Sequence, residues 1–148
     1  MAANLASTLS GRGIGIISPG ELGPAAYRFV CQLNENSDSF ARSTEVPEMN
    51  HNEIIAWMST NAESQALVVL SCEGINPRTM SRIDWMMEQI SGPVVWRIEC
   101  EGDSLLERML YASHVTDWIS IALALMNGVD PSQMDSIVGL KAHLSKVQ

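Results

Sequence analysis

Apolar positions along this chain follow two rhythms. Residues 13–18 (GIGIIS), 66–72 (ALVVLSC) and 93–100 (PVVWRIEC) form short apolar runs, the first two with almost no polar alternation. Such runs suit strands of a parallel sheet covered on both faces. A weaker strand is expected at 39–46, because it falls between two helix signals. Elsewhere the spacing turns helical. Pro24, followed by AAYRFVCQLNEN, predicts a helix over 24–36. Asn50 with Glu53 reads as a capping box that opens the helix of EIIAWM. Asn76–Pro77 and Asp130–Pro131 each pair an N-cap residue with proline at the first helical position. Ser104 with Glu107 is another capping box, and the long helix it starts runs to about Asn127, where Asn127–Gly128 provides a stop. Apolar residues cover most of that helix's circumference, which predicts it as the central buried helix.

The order is a helix, then repeated strand–helix units, then two closing helices. That alternation predicts an α/β fold, a three-layer α/β/α sandwich around a mainly parallel, doubly wound sheet. No internal repeat, low-complexity tract or linker interrupts it. The 148 residues are read as a single domain over 1–148, long enough to bury roughly 70% of the unfolded surface.

Composition narrows the function. Hydrophobic residues make up 46% of the chain, which argues against disorder, and nine Met with four Trp suggest a core of long, adaptable side chains. The formal charge is −8, with nine Lys and Arg and no two adjacent. A nucleic-acid binder needs a basic stripe, so that class is excluded. The same balance means that a phosphorylated ligand would be held by hydroxyls, backbone N–H groups or a helix N-terminus, groups that can lie outside this chain. The most apolar stretch, 118–126, is shorter than the roughly 20 residues a bilayer requires, and residues 1–10 lack the basic and apolar regions of a signal peptide. No membrane association is expected. Cys31, Cys72 and Cys100 have no metal spacing, and the odd count suggests reduced thiols in a cytoplasm; all three are read as core.

Candidate chemistry concentrates in residues 32–57, QLNENSDSFARSTEVPEMNHNEIIAW, where a helix end, a loop and a helix start are expected to meet. Glu35 falls at the C-terminal end of the first of these helices. The negative end of the dipole would raise its pKa and make it a better proton acceptor; the alternative is a solvated terminal glutamate. His51 falls at the first position of the next helix, where a neutral imidazole is favoured; the alternative is a cap. Glu48 and Glu53 flank His51, but no second histidine stands at ligand spacing, so no metal is expected. The turn 18–23 (SPGELG) lies where a phosphate cradle would stand; it matches no phosphate fingerprint, Glu21 would repel an anion, and it reads as a tight turn. His114 and Asp117 interrupt the long helix and call for hydrogen-bond partners. Lys141, by position, is a surface cation near a helix C-terminus.

The combination QLNEN…PEMNHNEI…W, with the later run EGDSLLERMLYASHVTDWISIALALMNGVDPSQMDSIVGLKAHL, resembles the bifunctional phosphoglucose/phosphomannose isomerases of the sugar isomerase (SIS) group. The matches run from about Asn4 to Lys146. The resemblance implies the C-terminal half of a two-SIS-domain enzyme that converts glucose 6-phosphate or mannose 6-phosphate to fructose 6-phosphate without a cofactor. It assigns Glu35 as the base for the 1,2-proton shift, His51 as the ring-opening group reaching the site from the neighbouring subunit of a homodimer, and Lys141 as a residue lining the site. Two departures stand out. Ser37 and Asp38 replace the family's Ala-Lys, and the Ser/Thr-rich loop that grips the phosphate belongs to the family's N-terminal SIS domain. The competing reading is a non-catalytic SIS-like module that binds a sugar phosphate or dimerises. A Rossmann-like nucleotide binder is excluded for want of a glycine fingerprint.

Overall fold

A computed structural model describes residues 1–147. Four strands, β1 (Gly13–Pro19), β2 (Ala41–Val46), β3 (Gln65–Ser71) and β4 (Val94–Glu99), form a sheet in the order β2-β1-β3-β4, with every pairing parallel. The central pair is buried along its length, from Ile14 to Pro19 and from Ala66 to Ser71, which is why those two runs lack polar alternation. The edge strands carry exposed polar residues such as Arg42, Glu45 and Arg97, hence the weaker signal of β2.

Five helices cover the sheet, α1 (Ala2–Leu9), α2 (Gly23–Ser37), α3 (Glu53–Trp57), α4 (Pro77–Gln89) and α5 (Leu105–Asn127), and a sixth, α6 (Asp135–Leu144), follows them. On one face, Phe29, Leu33, Leu5 and Ile119 of α2, α1 and α5 close over Ile14, Ile16, Val68 and Leu70. On the other, Trp57, Ile83 and Met86 of α3 and α4 pack on Ile17, Leu67 and Val69. These are the three expected layers, and the strand order reverses direction between β1 and β3, as a doubly wound sheet requires.

The helix expected from Pro24 holds, and so do two of the four expected N-caps. Asn76 Oδ1 accepts from Arg78 N–H at 2.9 Å, and Ser104 with Glu107 forms a reciprocal capping box. The other two move. Asn50 turns inward, with its Nδ2 3.2 Å from Met49 Sδ, inside a 3₁₀ turn (Glu48–His51); Asn52 takes over the cap, accepting from Glu53 N–H at 2.6 Å. Asp130 caps only a local turn, accepting from Ser132 N–H and Oγ–H at 2.9 and 2.7 Å, and α6 begins five residues later.

α5 also departs from expectation. It ends as predicted, with Gly128 in the left-handed conformation at φ 70°. It is not, however, a buried central helix. Ala112, Thr116, Ile119, Ser120, Leu123 and Ala124 face the layer, while Leu106, Leu110, Trp118, Ile121 and Leu125 form an exposed apolar stripe. Periodicity reports how apolar a surface is, not what covers it. At 23 residues the helix is long and apolar enough to cross a bilayer, beyond what its run 118–126 suggested. Here it lies along α2, to which Asp117 is tied by hydrogen bonds from Arg28 Nη2 (2.9 Å) and Gln32 Nε2 (2.9 Å). No residue of α6 is buried.

Candidate active site

α2 connects two parallel strands and so runs antiparallel to them; its last turn lies at the amino end of the sheet. Asn34 and Asn36 fix that turn. Asn34 Nδ2 donates to the carbonyls of Val30 (2.8 Å) and Ala41 (3.2 Å), and its Oδ1 accepts from Ala41 N–H at 3.3 Å, stitching the helix end to the start of β2. Asn36 Nδ2 donates to Ser120 Oγ on α5 at 2.9 Å. Buried Ser37 donates back to Leu33 O at 2.6 Å, and Asp38 closes the helix in the left-handed region at φ 51°. Glu35, between the two asparagines, is exposed and makes no side-chain hydrogen bond or ion pair among the described residues. It borders a cavity of about 310 Å³ shared with Cys31, Asn34 and Asp38 on one side and Gln133, Met134 and Asp135 on the other.

That second wall escaped the sequence reading. α5 runs back to the amino end of the sheet, where Asn127 Nδ2 donates to Ser37 O at 2.9 Å, so the segment after it must pass the end of α2. The direction of the helices was the available signal. Cys31, read as core, is half-buried at the cavity wall. Asp38 adds a carboxylate beside Glu35 where a cation was expected from the resemblance.

His51 lies elsewhere. It is the last residue of the 3₁₀ turn after β2, exposed, rather than the first residue of α3. Because β2 intervenes, with six residues of about 3.3 Å rise, His51 sits at the carboxyl end of the sheet, about 20 Å from the end that carries Glu35. The expected meeting of helix end and helix start within 32–57 does not occur in one chain. Glu53, expected in the capping box, instead accepts from Trp57 Nε1 at 3.3 Å and pairs with Arg42, whose guanidinium lies 5.6 Å from the centre of the Trp57 ring. The ring packs on Gly15 so closely that a methyl there would stand 2.3 Å from Cζ2. α3 has only five residues and cannot hold itself; this lock on β1 fixes it and the His51 turn. Lys141 is exposed on α6, roughly 9 Å along the axis beyond Asp135 at 1.5 Å per residue, and does not border the Glu35 cavity.

Residues 1–144 match the pattern described as the bacterial phospho-glucose isomerase C-terminal SIS domain. The chain belongs to that family. A bifunctional phosphoglucose/phosphomannose isomerase of Aquifex aeolicus is 36% identical over 124 residues, covering 82% of this chain and 39% of the relative. One from Thermoplasma acidophilum is 31% identical over 120 residues, covering 81% and 38%. This SIS domain thus spans about two fifths of the length of the curated relatives it matches. Among solved structures, a glucose-6-phosphate isomerase like protein from Thermus thermophilus superposes with a TM-score of 0.70 at 20% identity, covering 90% of this chain and 45% of that one, a likeness of fold.

The remaining thiols of the SIS domain are ill suited to nucleophilic work. Burial pushes Cys100 up to about 12, with Cys72 and Glu99 adding to it, and burial also raises Cys72 against the opposing pull of Arg108.

Proposed function

We propose that this SIS domain is the base-carrying half of a hexose 6-phosphate aldose–ketose isomerase acting on glucose 6-phosphate or mannose 6-phosphate, with fructose 6-phosphate as the ketose. The observation that carries the reading is the bare Glu35 side chain at the wall of a cavity, on a helix turn held by two structural asparagines. In the open-chain aldose, Glu35 takes the proton from C2 as O1 gains one, giving the enediol; O2 then gives up its proton as Glu35 returns the carried proton to C1, so the carbonyl moves from C1 to C2. A general base of this kind contributes about 10²–10⁴-fold. His51 gives a proton to the ring oxygen as the anomeric hydroxyl loses one, which opens the pyranose. Lys141, outside the Glu35 cavity in one chain, would support the enediolate electrostatically only once assembly with a neighbouring chain or domain brings α6 to the site. The reaction is redox-neutral within one molecule and needs no cofactor.

The separation of Glu35 and His51 favours a homodimer in which each chain's His51 serves its neighbour's Glu35. The exposed apolar stripe on α5, with Ile137, Val138, Leu140 and Leu144 of α6, supplies surface for that contact and for an N-terminal SIS domain carrying the phosphate grip, a partner consistent with relatives of more than twice this length. A metabolic role of this kind supports a cytoplasmic location.

The test is to combine this chain with an N-terminal SIS domain of the family and follow glucose 6-phosphate to fructose 6-phosphate. Turnover that falls at least about 100-fold in Glu35→Gln supports the assignment. Sugar-phosphate binding with no turnover would instead identify a non-catalytic module, the reading that Asp38 at the cavity favours.

A further inference from the structure

A second cavity, of about 350 Å³, opens at the other end of the sheet, between the carboxyl ends of β1 and β2 and the first turn of α2. Ser18 borders it, fully buried, and its Oγ has no hydrogen-bond partner among the described residues. Buried hydroxyls without partners are rare and call for an explanation. Ser18 is the register partner of Glu45, so both side chains leave the same face of the sheet, toward α2. The 15-residue α2 begins there with no side-chain cap, and its first turn presents amides and the positive end of a dipole. Glu45 lies against that turn: a methyl at Gly23 would stand 2.3 Å from Glu45 Oε1, and one at Gly20 3.4 Å from Oε2. Ser43, Thr44 and Tyr27 complete the wall.

The charges decide the ligand class. A phosphate or carboxylate would meet Glu45 at the helix terminus, and an ammonium would meet the positive end of the dipole. A neutral hydroxyl suits both, since it donates to the Glu45 carboxylate while accepting from Ser18 Oγ–H or a first-turn amide. Several such groups in a row, with the exposed Tyr27 ring as a platform for C–H bonds, describe a sugar. From these observations we propose that the cavity bounded by Ser18, the start of α2 and Glu45 is a binding site for the hydroxyl face of an uncharged carbohydrate or polyol, separate from the Glu35 cavity. It goes beyond the isomerase reading and stands or falls without it.

Titration of the full chain with D-glucose and with sorbitol, followed by amide ¹H–¹⁵N correlation spectra, tests the site. Saturable shifts are expected over Gly20–Ala26 and Thr44–Glu45. Ser18→Ala and Glu45→Gln should each weaken the apparent Kd about tenfold, the loss of one hydrogen bond. Glu45 is exposed, so Glu45→Gln remains informative where Ser18→Ala disturbs the fold, and dispersion of the spectra reports which has occurred. The proposal is overturned by the absence of saturable shifts at these amides up to about 100 mM sugar, by shifts confined to Asn34–Asp38 and Gln133–Ile137, by equal shifts with inorganic phosphate, or by indifference of the shifts to Glu45→Gln in a folded chain.

Discussion

Replacing Gly15 by alanine probes the lock that holds α3 and the His51 turn against the sheet. The new methyl would lie 2.3 Å from Trp57 Cζ2 and 2.6 Å from Cη2. Trp57 is 3% exposed and tied by its Nε1 to Glu53, so the ring has nowhere to turn without leaving the core. Overpacking of this kind costs about 1–3 kcal/mol, and distances this short place Gly15→Ala at the upper end. Removing glycine's freedom from the unfolded chain offsets about 0.5–1 kcal/mol of that. The net loss is about 2 kcal/mol, which in a chain of this size lowers Tm by about 4–8 °C. In a Trp57→Leu background the six-membered ring is gone, and the same change should be neutral or stabilise by about 0.5–1 kcal/mol. Thermal unfolding of the four proteins, followed by circular dichroism, should therefore give a coupling of about 2–3 kcal/mol. An unchanged Tm for Gly15→Ala, or the same loss in both backgrounds, would refute the lock.

Further outcomes are expected. Mixing inactive Glu35→Gln with inactive His51→Ala, each with the N-terminal domain, should restore about a quarter of wild-type turnover, since half the dimers are mixed and each has one intact site; no recovery would place both residues in one chain's site. Cys100 should resist iodoacetamide at pH 8 until urea unfolds the chain, because its thiol is held up at about 12. The unfolded thiol ionises first, so folding stability should decline from the ordinary value of 9.0 upward, and Cys100→Ser should flatten that decline in urea titrations; labelling at the unfolded rate sinks this. Ser104→Ala should cost about 1 kcal/mol in urea unfolding at pH 7. The Glu107 carboxylate is held below its ordinary value of 4.5 by bonds from the Ser104 amide and hydroxyl and the Asp103 amide. Its contribution is present above that pH and lost as acid protonates the folded form, so Glu107→Gln should make stability less sensitive to acid between pH 7 and pH 3; an unaltered acid limb in Glu107→Gln would contradict this.

The central strands were legible because burial on both faces leaves no room for polar residues, as at Ile16 and Val68. Caps at Asn76 and Ser104 were legible because each stands directly before its helix. Asn50 misled because a second asparagine, Asn52, follows it, and local spacing cannot tell which side chain turns inward onto Met49. The position of Glu35 at a helix end followed from pattern alone. Its surroundings did not: Gln133 to Asp135 reach the cavity only because α5 runs antiparallel to the strands, a property of the whole topology. The bare side of α5 was hidden for a similar reason, since Leu106 and Leu110 read the same whether core or interface.

Glu35 and His51 at opposite ends of one sheet constrain how two copies would cooperate. A twofold axis must bring each chain's amino pole to the other's carboxyl pole, so the paired sheets would run in opposing directions and host two reaction centres, separated by about the length of a strand. Neither centre would exist in a lone subunit. Specific turnover would then drop on dilution below the dissociation constant of the pair, so that abundance itself becomes a control on flux.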